Sequence, residues 1–436
     1  MERITDRTMK TAHESLEFSS VNSGENYRFY KNIFFKVLSN LKRGSLRILS
    51  SNGGQCYLGN PELPDDPEFH RAMIQIKDPA FFKKVALQGD IGFAESYING
   101  DWDTDDIRSV ICWFLLNLEG TPSVSGSSKN FLHLTLMNLG SRMAHVFRKN
   151  SLKGSRRNIV VHYDLGNDFY SKFLDHTMTY SCAYFSDKNA SLEEAQLSKI
   201  ENLCKKLRLK ETDHVLEIGT GWAGFSTFAA SKYGCKVTTY TISEEQYKFA
   251  LEKIESLQLQ DKVTVKLEDY RKVKGVYDKI VTVEMLEAVG EQYFEDFFSM
   301  CNRVLKKDGL MAHQIITCPD SRYESFRKGV DFIQKHIFPG SLIPSLERIN
   351  RAINRTSDMF LHELEDIGRF YDRTLTSWLQ KFESNLASIR SMGFDESFIR
   401  KWKYYFSYCA AAFYMRNISV VQVVYTRPNN LNLSKE

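Results

Sequence analysis

No stretch of this 436-residue chain approaches the run of about 18 apolar residues needed to cross a bilayer. The longest candidate, 410–424, is broken by Arg416 and Asn417, so no transmembrane helix is expected. The first residues, Met1-Glu2-Arg3-Ile4-Thr5-Asp6, lack the apolar core of a secretory leader, and none is expected. A dominant charge is missing too: 58 Lys and Arg stand against 54 Asp and Glu, and a net charge of +4 singles out no nucleic acid or other partner. The eight cysteines, at 56, 112, 182, 204, 235, 301, 318 and 409, form no CxxC pair and no Cys/His cluster at zinc spacing. They read as reduced thiols of a cytoplasmic protein without a bound metal. Its 42% hydrophobic and 26% charged residues describe a globular protein, and the length exceeds one ordinary core, so two domains are expected.

The most informative stretch is Val215-Leu216-Glu217-Ile218-Gly219-Thr220-Gly221-Trp222-Ala223-Gly224. An apolar run ends in an acid and opens into a glycine-rich turn; a helical pattern over 225–232 and a second β-type run over 236–240 follow. This is the opening βαβ unit of a nucleotide-type α/β fold. Its glycines let backbone pass close to a ligand, and the helix N-terminus offers free N–H groups. The dinucleotide fingerprint is matched loosely, but no acid ends the second strand to hold a ribose; that position reads Thr239-Tyr240-Thr241-Ile242-Ser243. An E-x-G-x-G turn of this kind fits an S-adenosylmethionine (SAM) methyltransferase better than a dehydrogenase.

Along the chain, residues 1–23 read as a disordered lead-in and 24–120 as a smaller α/β domain. In it, 47–54 looks like strand then turn, 72–76 like a strand, 79–87 like a helix and 92–102 like a loop. A linker with a basic amphipathic helix follows over 121–158: no acid occurs between Glu119 and Asp164, whereas Arg142, Arg148, Lys149, Lys153, Arg156 and Arg157 all fall there. Such a helix suits an anionic lipid surface, or else it merely connects domains with a solvated basic end. Residues 159–430 alternate β-type runs (213–218, 236–240, 262–267, 278–283, 310–316 and 419–425) with helices, as in a doubly wound sheet. An aromatic-rich helical insertion over about 320–410 suits a lid or an apolar tunnel, although each aromatic singly is ordinary core.

Several motifs make the resemblance specific. Val161-His162-Tyr163-Asp164-Leu165-Gly166-Asn167 and Thr179-Tyr180-Ser181-Cys182-Ala183-Tyr184-Phe185 precede the glycine turn. Thr241-Ile242-Ser243-Glu244-Glu245-Gln246, Asp269-Tyr270-Arg271 and Glu284-Met285-Leu286-Glu287-Ala288-Val289-Gly290 follow it. Ile337-Phe338-Pro339-Gly340, Phe370-Tyr371-Asp372-Arg373-Thr374-Leu375 and Tyr408-Cys409-Ala410-Ala411-Ala412-Phe413 close the series. In this order they closely resemble the cyclopropane-fatty-acyl-phospholipid synthase family, which includes the mycolic acid cyclopropane synthases. The likeness reaches the front half through Gly92-Phe93-Ala94-Glu95-Ser96-Tyr97, which is similar to the lipid-binding domain of the phospholipid-acting members.

The resemblance implies a Rossmann-like SAM-methyltransferase sheet with a helical lid insertion and a smaller α/β lipid-binding domain in front. It implies SAM contacts from Tyr163, Tyr180, Ser181, Glu217, Gly219, Thr220, Gly221, Trp222, Thr241, Ser243, Gln246, Asp269 and Tyr270. It also implies a bicarbonate ion held by Cys182, Glu287 and Tyr371, with Gln314 and Ile316 at the fifth-strand positions where the family has His-x-Ile. Here the sequence departs, with Gln314 for that histidine and Ala288 where some members have His. Strand alternation turns His313 to the opposite face. Cys409, on an apolar helix, joins the candidate catalytic residues, with packing near the acyl tunnel as its plainer role. Glu284, three residues before Glu287, is expected only to cap or touch cofactor. His162, His176 and His336 have no partner pattern.

The activity so implied is methylene transfer from SAM to the double bond of an unsaturated acyl chain of a membrane phospholipid, closing a cyclopropane ring with bicarbonate as base. The expected partners are the bilayer surface and that chain, with peripheral membrane association and a homodimer as an optional assembly. Methylation without ring closure is the alternative, followed by small-molecule N-methylation. A non-catalytic lipid-binding scaffold would need a broken cofactor turn or a missing Glu287, and neither is seen.

Overall fold

The computed structural model describes residues 25–59, 71–117 and 165–433. The lead-in 1–23, the basic segment 142–157, His162 and Tyr163 lie outside them. Two compact units are formed. One takes in the described part of Met1–Val146 with Lys328–Ile337 and Arg390–Met415; the other takes in the described part of Phe147–Arg327 with Phe338–Ile389 and Arg416–Glu436.

The front unit carries a four-stranded sheet in the order β2-β1-β3-β4, with β1 at Ser45–Ser50, β2 at Gln55–Gly59, β3 at Arg71–Ile76 and β4 at Trp102–Asp103. Strands β1 and β2 form an antiparallel pair, and β3 runs parallel to β1. Alternation buries Leu46, Ile48, Ile74 and Ile76 on one face. The expected loop over 92–102 is corrected: helix Ala80–Ile98 runs through most of it, kinked at Gly89 (φ 60°). Gly92 hides that continuity in the sequence. It is there because a Cβ would stand 2.1 Å from the Lys84 carbonyl oxygen.

The expected lid is shared between the units. Helices Phe332–His336 and Glu396–Tyr414 pack in the front unit, where Arg400 donates to the carbonyls of Tyr97 (2.6 Å) and Trp102 (2.9 Å) and Lys335 pairs with Glu95 (2.6 Å). The aromatics of the long helix, Trp402, Tyr404, Tyr405 and Phe406, are core, and no described helix is long and apolar enough to cross a membrane.

The second unit is built on a seven-stranded sheet, β10-β11-β9-β8-β5-β6-β7. Its strands are β5 His214–Ile218, β6 Lys236–Thr241, β7 Val263–Leu267, β8 Tyr277–Val283, β9 Leu305–Thr317, β10 Phe360–Asp366 and β11 Ser419–Thr426. Only β11 runs antiparallel to its neighbours β9 and β10. The chain turns from one half of the sheet to the other between β5 and β8, the switch point at which open α/β sheets bind ligands beyond their strand C-termini. Strand β10 was absent from the sequence expectation. Its residues Phe-Leu-His-Glu-Leu-Glu-Asp are charged and largely exposed at a sheet edge, and such a strand lacks the apolar alternation that marks one.

The turn Gly368–Phe370 brings β10 into helix Tyr371–Ser384. Gly368 lies so close to β11 that a Cβ would stand 2.1 Å from Ser419 Oγ and 2.8 Å from the Val420 nitrogen. Gly368→Ala is therefore expected to destabilise this unit by about 2–4 kcal/mol, read as a lowered urea midpoint with unchanged slope. An unchanged midpoint would show that the β11 backbone yields freely.

Candidate active site

Strand β5 ends at Glu217-Ile218, and Gly219 (φ 95°) and Gly221 (φ 52°) turn the chain into helix Gly224–Tyr233. These left-handed angles are the reason for glycine at both places. Thr220 Oγ1 lies 2.8 Å from Thr239 Oγ1, and Trp222 Nε1 donates to Asn167 Oδ1 at 2.7 Å, fixing the turn on both sides. Glu217 is 4% exposed, and its Oε2 meets no hydrogen-bond donor. Burial lifts its pKa to about 8.

Past β6, Thr241 Oγ1 donates to Gln246 Oε1 at 2.8 Å, while Ser243 caps helix Glu244–Ser256 by accepting the Gln246 N–H at 3.3 Å. Past β7, Asp269 caps the turn Tyr270–Lys272, and its two oxygens accept from Arg271 Nε (2.7 Å) and Nη2 (2.8 Å); Tyr270 packs edge-on against Phe297. Ser181 Oγ accepts from Lys199 Nζ at 2.5 Å, and Tyr180 packs among Tyr170, Phe173, Trp378 and Phe338. Every described residue expected to touch SAM thus belongs to the second unit, and those following β5, β6 and β7 sit at the C-terminal ends of adjacent parallel strands.

Beside this turn is a buried polar cluster. Glu284 follows β8 directly with φ 48°, a left-handed conformation that a glutamate rarely adopts and that costs about 1 kcal/mol. Its Oε1 accepts from the Cys182 N–H (2.9 Å) and from Gln314 Nε2 (2.8 Å), and its Oε2 accepts from the Tyr371 hydroxyl (2.7 Å). The Gln314 amide also donates to the Cys182 carbonyl at 3.0 Å. Its own oxygen accepts from Gln422 Nε2 (3.0 Å), whose oxygen accepts from Asn202 Nδ2 (2.9 Å). The chain of amides leaves one orientation for Gln314, with both N–H bonds facing Cys182 and Glu284. A neutral histidine offers one N–H and could not serve both.

Glu287 lies in the turn Leu286–Ala288. Its Oε1 accepts from the Ile316 N–H at 2.5 Å, and its Oε2 is buried without a partner. Burial, reinforced by the charge of Glu284, lifts its pKa to about 8. Burial also raises Glu284, against which the Gln314 amide, Lys199 and the Cys182 and Tyr371 donors act. Burial lowers Lys199 to about 8, opposed by Glu284. The two glutamates are therefore unlike: burial raises both, but three donors and a cation oppose the rise at Glu284, and little opposes it at Glu287.

His313 faces the other side of β9. Its Nδ1 meets the Thr282 hydroxyl at 2.6 Å, Phe297, Phe298 and Tyr425 surround it, and burial drops its pKa to about 3. Cys182 is buried and its thiol is raised well above its ordinary range by burial, so its N–H and C=O are what it offers. Cys409 is on helix Glu396–Tyr414 of the front unit, and burial raises its thiol as well. Sequence reading gave Glu284 a minor part and missed Lys199, Asn202 and Gln422. The E-x-x-E spacing was the available signal, but the positive φ that turns Glu284 inward leaves no mark on it.

A switch-point glycine turn with a buried acid, at the head of a seven-stranded sheet whose last strand runs antiparallel, defines a SAM-dependent methyltransferase. The family described as mycolic acid cyclopropane synthetase matches residues 150–423, and this chain belongs to that family. The cyclopropane-fatty-acyl-phospholipid synthase of Escherichia coli is 35% identical over 360 residues, 82% of this chain and 88% of its own. Tuberculostearic acid methyltransferase UfaA1 of Mycobacterium tuberculosis is 33% identical over 384 residues, 86% of each chain. Among solved structures, the mycolic acid cyclopropane synthase CmaA1 complexed with SAH and CTAB is 28% identical with a TM-score of 0.59, covering 62% of this chain and 98% of that one.

Folding retains protons on Glu217 and Glu287 that the unfolded chain releases near pH 4.5, up to about pH 8. Their contribution to stability is thus full below pH 4.5 and fades as pH rises through 8, by at most about 1.4 kcal/mol per pH unit and group. Glu287→Gln is expected to flatten the fall of Tm across this window in calorimetry, and Glu217→Gln with it to flatten it further. An unaltered slope would mean that the two carboxyls are ionised in the folded state.

Proposed function

We propose that the protein alkylates the double bond of an unsaturated acyl chain of a membrane phospholipid and closes a cyclopropane ring. The observation that carries this reading is the pair of unlike buried glutamates beside the cofactor turn. Methyl transfer to an alkene, unlike transfer to an amine, leaves a carbocation that must lose a proton from carbon, and a buried base is what that step demands. The likeness to the Escherichia coli synthase over 82% of this chain, front unit included, supports the phospholipid as the carrier.

The residues around the turn fit SAM. Gly219 and Gly221 open the backbone, and the buried carboxyl of Glu217, beside the Thr239 and Ser226 hydroxyls, suits an ammonium or hydroxyl of the ligand. When bound there, SAM supplies an electrophilic methyl. Glu217, Ser243 and Gln246 would hold it at the ends of β5 and β6, and Tyr180, Trp378 and Tyr371 form an aromatic wall, with ring centres 5.1 and 6.0 Å apart in succession. Such a wall excludes water and turns negative ring faces to a developing cation. Phe370 packs against Tyr184 and Phe185.

Bicarbonate does not fit as the resemblance implies. The Cys182 N–H, the Gln314 amide and the Tyr371 hydroxyl are all engaged by Glu284, and the Ile316 N–H is engaged by Glu287. The proton has to be received by the chain itself. A second reading, methylation without ring closure, draws on the likeness to tuberculostearic acid methyltransferase and differs only in which carbon loses the proton.

Incubation of the enzyme with SAM and vesicles of mono-unsaturated phospholipid, followed by mass spectrometry, is expected to give acyl chains heavier by one CH2 and no longer olefinic. Retained unsaturation supports the branched product, and turnover with amines alone rejects both. Glu287→Gln, which exchanges one neutral hydrogen-bonding group for another, is expected to leave ring formation within about tenfold of wild type while SAM still binds. Loss of cofactor affinity would instead make Glu287 a cofactor ligand. Docking on the cytoplasmic membrane surface is assigned to the basic residues 142–157, so vesicle binding should weaken severalfold when salt is raised to about 0.5 M. Binding indifferent to salt would remove those charges from the account.

A further inference from the structure

We propose that Glu284 is the catalytic base of this enzyme, a side-chain carboxylate built into the place where a small carbonate-type anion would otherwise be held. The inference rests on the acyl-chain alkylation reading and names the group that receives its proton. Three donors from three separate parts of the chain converge on the two oxygens: the Cys182 N–H, the Gln314 amide and the Tyr371 hydroxyl. A planar three-atom O–C–O group held by such donors is what a bound bicarbonate presents, so the side chain supplies the same base without a diffusible ion.

The position is as telling as the contacts. Glu284 ends β8, next to β5 in the sheet, and its neighbour Met285 touches the cofactor turn: a Cβ on Gly219 would lie 3.2 Å from Met285 Cγ. The backbone at 284 accepts the strain of φ 48° to turn the carboxylate inward. The Tyr371 hydroxyl takes one lone pair of Oε2, which leaves another free for a proton. Lys199, 0% exposed with its Nζ 2.5 Å from Ser181 Oγ, supplies the compensating charge.

The step balances. The alkene π pair forms a carbon–carbon bond to the methyl as the carbon–sulfur bond breaks with its electrons left on sulfur, and the adjacent chain carbon becomes cationic. A C–H bond of the new methyl then breaks; its pair closes the ring, and the proton passes to Glu284 Oε2. The resulting carboxylic acid loses that proton to water once product leaves.

The test uses the full-length enzyme in carbonate-depleted buffer with SAM and mono-unsaturated phosphatidylglycerol vesicles. Wild type is expected to turn over at a rate unchanged by added bicarbonate. Glu284→Gln is expected to bind SAH within about twofold of wild type yet lose at least about a hundredfold in turnover. Glu284→Gly, which suits the left-handed backbone, is expected to regain turnover severalfold with formate or bicarbonate. Wild-type turnover that requires bicarbonate, or Glu284→Gln within about threefold of wild type, would overturn the assignment. Titration with ¹³C-bicarbonate by NMR decides the matter even if no lipid is alkylated, an outcome that sinks the substrate reading alone. Saturable binding by Glu284→Gly but not by wild type supports the built-in carboxylate, and saturable binding by wild type refutes it.

Discussion

The second unit is organised around one buried anion. A carboxylate at Glu284 is away from bulk water, and it is tolerable there because the Cys182 N–H, the Gln314 amide and the Tyr371 hydroxyl are all aimed at it and Lys199 offsets its charge. Each donor comes from a different element, the 180–185 segment, β9 and helix Tyr371–Ser384, so the anion ties the sheet to what covers it. The same contacts explain why neighbouring groups are as they are. With charge already placed on Glu284, Glu287 remains a neutral acid and Gln314 must be an amide with two N–H bonds to give.

The consequences spread outward along the sheet. Gln314 is fixed by Gln422 on β11, and Gln422 by Asn202 on helix Leu192–Lys206, whose amide also reaches Glu365 on β10. Ala183 donates to Thr374 on helix Tyr371–Ser384, and Gln196 donates to the Ser181 carbonyl, so the segment bearing Cys182 is held from two sides. The strands that cross the sheet's edge therefore serve the centre. An edge strand as charged as β10 makes sense as a support for this network rather than as part of the apolar core.

Much of this was legible in the chain. Six of the seven strands, the glycine turn and the inward face of Gln314 follow from apolar alternation and from the period of two along a strand. What stayed hidden has physical reasons. Strand β10 carries Glu363, Glu365 and Asp366, so its pattern is that of a solvated segment until its partners are known. Helix Glu396–Tyr414 announces burial through Trp402, Tyr404 and Phe406, but aromatic density does not say against what, and its partners turn out to be Tyr97 and Trp102 of the front unit. The role of Glu284 depends on a backbone angle, and glutamate is not among the residue types, glycine first and then asparagine, aspartate and histidine, that advertise a positive φ.

The contrast between positions 313 and 314 shows how far substitution can redirect a site without disturbing its frame. A histidine at 314 would bring one neutral donor or a titrating charge; the glutamine brings two fixed donors and no charge. A site that has to bind a free anion benefits from a group able to respond to the arrival of charge. A site that carries its own anion benefits from one that never titrates, since each proton gained or lost at 314 would alter the basicity of Glu284. Meanwhile His313, one residue earlier, is buried against Phe297 and Phe298 on the opposite face with its proton affinity suppressed, and takes no part. The exchange of histidine for glutamine and the presence of a glutamate at 284 are thus two halves of one arrangement, in which the base belongs to the chain and its surroundings are held electrically constant.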